Sequence, residues 1–286
     1  MSILKQRGMT LVELMVAAVI SLIIVFFITS IMINSSRTAM QSEGLSQAQE
    51  NGRFILTWLQ GNVRTAGLPY PNESNRTRIQ PFADRCTATV TPPADNADCS
   101  FNSDNSNTSD RLAVQRTFVN DVTFGSDDTK RDCTGAEITN LADGTPLADG
   151  EIITDLYWVT TDNSDTTGYS NQLMCATYYN GKVIHPAQAI ASGIDGMQVL
   201  YGVSDNPDTA FRSSVNRFIS LADLGTNIDW DTVTAVRIAV LTRSFNERSA
   251  SENKRSYVLL DASPVTFEDS VSRHIQSTTV FLPNES

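Results

Sequence analysis

Histidine is almost missing from this chain: among 286 residues there are only His185 and His274. Neither belongs to an H-E-x-x-H pair, and the sequence has no G-x-S-x-G elbow and no phosphate-binding G-x-x-x-x-G-K-[ST] run. With no motif around either histidine, the chain reads as a non-enzyme that needs no cofactor. Cysteine is sparse as well. The four residues Cys86, Cys99, Cys133 and Cys175 form no C-x-x-C pair, which with only two histidines argues against structural zinc, and no metal-binding residue is assigned. Positive charge is in deficit, with 21 Lys and Arg against 32 Asp and Glu and a net charge of −11. That balance argues against direct nucleic-acid binding, which needs a basic face. Arg76, Arg78 and Arg85 lie close together but among acidic loops, so they read as solvated surface. Proline is absent from Met9 to Leu68, so nothing there interrupts a helix.

What is present begins at the N-terminus. A basic leader, Lys5-Gln6-Arg7-Gly8, precedes an apolar run from Leu11 to Ile33. About 20 apolar residues suffice to cross a bilayer as a helix. A secretory signal would place its small cleavage residue after the apolar core; here Gly8 comes before it. Cutting after Gly8 removes the leader with its two cations, takes the net charge from −11 to −13, and keeps the helix. Inside the run stands a lone carboxylate, Glu13. An ionised carboxylate at bilayer depth costs about 2.5–3.5 kcal/mol, so it calls for a positive partner. The plainer alternative is a membrane anchor whose Glu13 lies near the interface and reaches water.

The run Gly8-Met9-Thr10-Leu11-Val12-Glu13 resembles the class III signal of type IV prepilins and type II secretion pseudopilins. The resemblance implies cleavage after Gly8 by a membrane-embedded prepilin peptidase and methylation of the new amino terminus at Met9. Met stands where the family usually has Phe. In such a filament the Glu13 carboxylate of one subunit meets the Met9 amine of its neighbour. The pairing offsets both desolvation costs and fixes the axial register. Gly52-Arg53-Phe54, Leu59 and Val63-Arg64-Thr65-Ala66-Gly67 are similar to the helix end of PilW-like minor pilins. The segment Gly193–Val203 and the strands Val233–Leu241 and Thr278–Leu282 resemble their later parts. The final Leu-Arg-Asn usual there reads Leu282-Pro283-Asn284. The pseudopilin J family shares much of this architecture.

The expected fold is therefore α+β: a pilin-like lollipop whose long N-terminal helix packs against an antiparallel β-sheet head. Residues 1–8 form the leader, 9–33 the membrane and filament-core helix, 34–67 its amphipathic half and 68–286 the head. The helix should run roughly 55 residues, about 80 Å, and stop at Gly67-Leu68-Pro69. Phe54, Ile55, Trp58, Leu59 and Val63 recur at helical spacing and predict a core-facing stripe. Gly44, Gly52 and Gly61 are candidate bend points.

Residues 70–110, rich in Asn, Asp, Ser, Thr and Pro, read as a long exposed loop. Strands are predicted at Arg111–Val119, Glu151–Thr161, Gln172–Tyr179, Met197–Val203, Val233–Leu241, Ser256–Leu260 and Thr278–Leu282. In Val233–Leu241, alternation of Val236, Ile238 and Val240 with Ala235, Arg237 and Ala239 predicts a half-buried strand. Phe211–Leu221 reads as a short helix or a loop. Tyr157-Trp158 and Tyr178-Tyr179 read as core aromatics rather than a binding surface.

Four cysteines allow three pairings. In an oxidising compartment we favour Cys86–Cys99, which closes the loop around Pro92-Pro93, and Cys133–Cys175, which ties a loop to a strand. The acidic stretches Asp95–Asp98 and Asp104–Asp110 offer calcium ligands, but neither fits the twelve-position EF-hand pattern.

By resemblance, the function is that of a minor pilin that primes type IV pilus polymerisation within a minor-pilin complex, for which the fibre tip is a candidate position. Its partners would be the prepilin peptidase, other minor pilins, the major pilin and the inner membrane before assembly. The head would sit in the periplasm and later on the fibre. The rivals are a J-like secretion pseudopilin, a single-pass receptor, and a tip adhesin acting through the 70–110 loop.

Overall fold

The computed structural model describes residues 9–70, 79–86, 90–103, 109–120, 130–141, 144–160, 169, 171–204, 214–224, 229–245 and 253–283. The absence of proline lets a single helix, α1, run unbroken over Leu11–Val63, 53 residues. At 1.5 Å per residue that is about 80 Å. The chain leaves α1 through tightening turns. Thr65 N–H donates to Asn62 O, Ala66 N–H to Val63 O and Leu68 N–H to Thr65 O. Gly67, at φ 69°, reverses the chain, and its N–H donates to Gln115 O on the first strand.

The head contains two larger antiparallel sheets and a hairpin. The first sheet runs β1 (Leu112–Thr117), β2 (Ile152–Thr160), β3 (Gln172–Tyr179) and β4 (Lys182–Val183), with β5 (Gln188–Ser192) also paired to β3. The second has the order β11-β8-β6-β7, built from β6 (Ile194–Val203), β7 (Arg217–Ile219), β8 (Val233–Arg243) and β11 (Arg273–Phe281). β9 (Asn253–Tyr257) and β10 (Val265–Asp269) form the separate hairpin. The fold is thus α+β, with one long helix and antiparallel sheets. One core collects Ile55, Leu59 and Val63 of α1 with Val236, Ile238 and Val240 of β8 and Met197, Val199 and Tyr201 of β6.

Several expectations need correction. Phe54 is not in the buried stripe; it is 54% exposed, and Leu56 is buried instead. The stripe follows Gly44, Ala48, Gly52, Ile55, Leu56, Leu59 and Val63, and Phe54 lies a third of a turn outside it. Gly44 and Gly52 lie within the continuous helix and are buried. β8 is buried on both sides except at Arg237, because it is an inner strand and its outer residues are small. Within Phe211–Leu221, Arg217–Ile219 is a strand that pairs with β6. The strand expected at Ser256–Leu260 lies earlier, over Asn253–Tyr257, and Leu260 sits at φ 48° in the turn that follows.

The 70–110 segment is not simply an exposed loop. Phe82 is fully buried, with its ring 5.3 Å from Tyr201 and 5.6 Å from Trp230. Asp110 is also buried. It accepts from Ser103 N–H at 2.8 Å and Val199 N–H at 2.8 Å. Its apolar residues are few, but Ile79, Phe82, Ala83 and Ala97 are all buried.

Candidate assembly site

The helix start is set by Thr10. Its backbone is extended, at φ −77° and ψ 150°, while its carbonyl accepts from Leu14 N–H at 3.2 Å. Thr10 Oγ1 accepts from Glu13 N–H at 3.3 Å, which satisfies one of the free amides of the first turn. Thr10-Leu11-Val12-Glu13 has the spacing of a capping box, a signal that reading Glu13 only as a buried charge passes over. A carboxylate in the first turn is also favoured by the helix dipole.

From Leu11 to Glu43 no side chain of α1 is buried, and the helix is long and apolar enough to cross a membrane by length and composition. Ser21 and Thr29 turn their hydroxyls back onto Ala17 O and Val25 O, both at 2.8 Å. These groups satisfy themselves inside their own helix, as a lipid-embedded segment requires. Glu13 is different: among the described residues no cation pairs with it.

The second half of α1 is docked through close approach. A Cβ on Gly52 would lie 2.7 Å from Gln276 Oε1 and 3.3 Å from Thr242 Cγ2, so a larger residue here would have to displace the end of the Gln276 side chain, which donates to Gln49 O. Thr242 Oγ1 donates to Ala48 O at 2.8 Å, Gln276 Nε2 to Gln49 O at 2.9 Å and Asn51 Nδ2 to Ser192 O at 2.6 Å. Phe245 N–H donates to Gln47 Oε1 at 3.3 Å. Further along, Ile55, Leu59 and Val63 are fully buried. Trp58 meets Tyr157 edge to face at 5.5 Å.

Cross-links and buried charges stiffen the head behind this seam. Cys86 is bonded to Cys99 and Cys133 to Cys175, with Cα separations of 5.0 and 6.3 Å. Arg116 Nε lies 2.6 Å from Asp155 Oδ2, both buried, and Thr177 Oγ1 donates to Asp155 Oδ1 at 2.5 Å. Arg273 Nε lies 2.5 Å from Asp195 Oδ2, while its other nitrogens hold Asp269 at 2.7 Å. Burial alone would raise the carboxyl of Asp269, but Arg273 outweighs it and holds the group below the ordinary range. Asp132 is likewise pushed up by burial and pulled lower by hydrogen bonds from Thr134, His185 and the Ala136 and Thr134 amides. His185 Nδ1 lies 2.7 Å from Asp132 Oδ2. Burial pushes the Tyr178 phenol up to about 12.

The structure therefore keeps the expected site residues in two places. Met9 and Glu13 stand exposed at the start of α1; Gly8, Arg76 and Arg78 lie outside the described residues. The four cysteines are all in the head. Tyr157, Trp158 and Tyr178 are buried in the head, and Arg85 is exposed. Among the described residues no cluster of three or more His, Cys, Asp or Glu could hold a metal ion. Much of Asp104–Asp110 lies outside those residues. The seam residues Thr242, Gln276 and Asn51 carry no local sequence signal, since their partners are distant backbone carbonyls.

Two family models match the chain. The prokaryotic N-terminal methylation motif matches residues 3–32, and Type IV Pilus-assembly protein W matches residues 156–284. Among solved structures, a type IV-like pilin from Thermus thermophilus aligns with a TM-score of 0.43 and 12% identity, over 83% of this chain and 96% of that one. No curated protein matches. The methylation motif on a bare apolar helix fits a pilin-type protein with an inner-membrane anchor and implies processing at the N-terminus. The match to Type IV Pilus-assembly protein W over residues 156–284, together with the methylation motif, supports a PilW-like type IV minor pilin.

Proposed function

We propose that this protein is a minor pilin that primes type IV pilus polymerisation within a complex of minor pilins, with its head in the periplasm and then at the fibre tip. It works by association, not catalysis. The observation that carries this is the unburied half of α1, which starts at an exposed Glu13 and is continuous with a half locked to the head. In the bilayer, residues 11–33 hold the subunit. In the fibre they pack among other apolar helices, and Glu13 meets the α-amine created at a neighbour's Met9. Pairing offsets part of the desolvation cost that each buried charge would bear alone. The family match over residues 156–284 is to a pilus-assembly protein, which favours pili over secreted enzymes as the client.

Glu13→Ala tests the role of the carboxylate. Membrane insertion should be unchanged or improved, while incorporation into sheared pili drops sharply. Wild-type incorporation would remove the register role. Deleting the protein and assaying surface pili and enzyme secretion in parallel separates the pilus client from the secretion client. N-terminal mass analysis of the mature protein should find methylated Met9.

A further inference from the structure

We infer that the free edge of β11 is a docking strand, which takes up an extended, uncharged segment of a different pilus subunit by adding it to the second sheet. The partner's identity rests on the pilin reading; the site rests on the head's own hydrogen bonds. At its two ends β11 is tied to β8 by Ser244 N–H donating to Ser272 O and Leu282 N–H donating to Thr234 O, both at 2.9 Å. The register between them is unbroken from Arg273 to Phe281. In an antiparallel ladder the bonding direction alternates, so His274, Gln276, Thr278 and Val280 face β8. Ile275, Ser277, Thr279 and Phe281 turn their N–H and C=O groups the other way. β11 is the last strand of its sheet on that side, and among the described residues nothing hydrogen-bonds those backbone groups. Ser277 and Phe281 are exposed, and Ile275 and Thr279 are half-buried.

The head treats the edge at β1 differently. There the chain covers itself: Ala83 N–H donates to Ala113 O and Gln115 N–H to Pro81 O, both at 2.9 Å. Among the described residues β11 has no such cover, and it carries none of the devices that blunt an exposed edge. From His274 to Phe281 there is no Lys, Arg, Asp or Glu and no proline, and the strand keeps one register with β8 throughout. An edge of alternating N–H and C=O groups is matched by another extended backbone. With no such charge on β11 to pair across the strands, an uncharged segment fits best. A second copy of β11 does not fit. Pairing it antiparallel continues the sheet about a two-fold axis normal to the sheet. α1 lies along one face of that sheet, held by Thr242 and Gln276, so the rotation would point the two apolar halves in opposite directions. One membrane or one fibre cannot hold both.

The test uses the full chain in the cells that make it. Ser277→Pro removes an outward N–H and leaves the bonds to β8 in place, since proline is tolerated on a strand edge that faces solvent. The urea midpoint of the purified variant, followed by tryptophan emission, should match wild type, while its recovery in sheared pili falls about tenfold. Ser277→Ala should be recovered like wild type. Phe281→p-benzoylphenylalanine places a photoreactive probe on the edge. It should cross-link to an extended segment of another pilus subunit, and adding Ser277→Pro should abolish that product. A Ser277→Pro chain that keeps its midpoint and either enters pili normally or retains the cross-link overturns the inference, as does an equal loss in Ser277→Ala. If proline lowers the midpoint, the cross-link in the otherwise wild-type chain decides. A product with a strand of another subunit supports docking; no product, or one with a second copy of this chain, overturns it. All these arms leave the pilin reading standing. A wild-type chain absent from sheared pili fails that reading, and the partner named here fails with it.

Discussion

The two halves of α1 have the same backbone and opposite surroundings. From Leu11 to Glu43 nothing is buried; from Gly44 to Val63 a stripe of seven residues is. The first half is more apolar than the second, yet it is the second that the head covers. Burial within one subunit therefore does not follow apolarity along this helix. It follows shape: Gly44, Ala48 and Gly52 recur every four residues and give a flat strip onto which β8 and β11 settle. The first half offers Leu, Ile, Val and Phe all round, which suits lipid or several like helices but no single sheet. One half is shaped for its own head, and the other is left uncovered by it.

Truncating matched residues in the two halves should break this symmetry most strongly. Leu59 is fully buried, whereas Leu22 is 71% exposed. Leu59→Ala should destabilise the head by about 2–5 kcal/mol in denaturant unfolding of the detergent-solubilised chain. Leu22→Ala should leave that transition within about 0.5 kcal/mol of wild type, since it touches nothing in the head. Equal effects would mean that the bare half packs against the head after all.

A smaller effect should come from the point of closest approach. Gly52→Val adds a branched side chain where a Cβ alone would already press on the Gln276 amide and the Thr242 methyl. Overpacking of this kind costs about 1–3 kcal/mol. Gly61→Ala is the control, because nothing lies within 4 Å of a Cβ there. It should be neutral or slightly stabilising, as Ala is the better helix former. A Gly52→Val chain as stable as wild type would show that the seam slides, so that the head does not fix its place on the stalk.

The division of the helix was legible in sequence because it rests on local signals. A lone glutamate, an absent proline and a glycine before an apolar run can all be read without knowing the fold. The stripe was read less well. Phe54 shares the helical spacing of Trp58, but it lies at the outer edge of that pattern, and the buried positions are those of Gly52 and Leu56. β4, β5 and β7 carry little strand signal, because short edge strands such as Gln188-Ala-Ile-Ala-Ser192 lack a run of β-branched residues; β10 does begin with the strand-favouring Val265-Thr266-Phe267, but only for three residues before Glu268-Asp269. The 70–110 segment looked exposed because its composition is polar. Its fold depends on one aromatic anchor, Phe82, and on polar groups such as Asp110 whose partners are nearly 90 residues away. Composition reports what a segment contains; it does not report a distant donor that makes a buried carboxylate tolerable.

Acid should produce the smallest effect, and it separates the halves in a different way. The three tryptophans, Trp58, Trp158 and Trp230, all lie in the docked half or the head, so their fluorescence reports that region alone. Asp132 and Asp269 are held below the ordinary carboxylate range, the first by Thr134, His185 and two amides, the second by Arg273. A carboxylate whose folded value is depressed contributes stability above its unfolded pKa, about 3.9. That contribution is lost as pH falls through the lower, folded value. The urea midpoint followed by tryptophan emission should therefore fall progressively below about pH 4. Asp269 is about one third exposed, so solvent screens its share, and buried Asp132 should account for more of the fall. In Asp132→Asn/Asp269→Asn the starting stability is lower, because each site loses a charged acceptor, but the fall between pH 6 and pH 3 should shrink. If the double variant falls as steeply as wild type, the acid response belongs to other carboxylates and these two do not fasten the head.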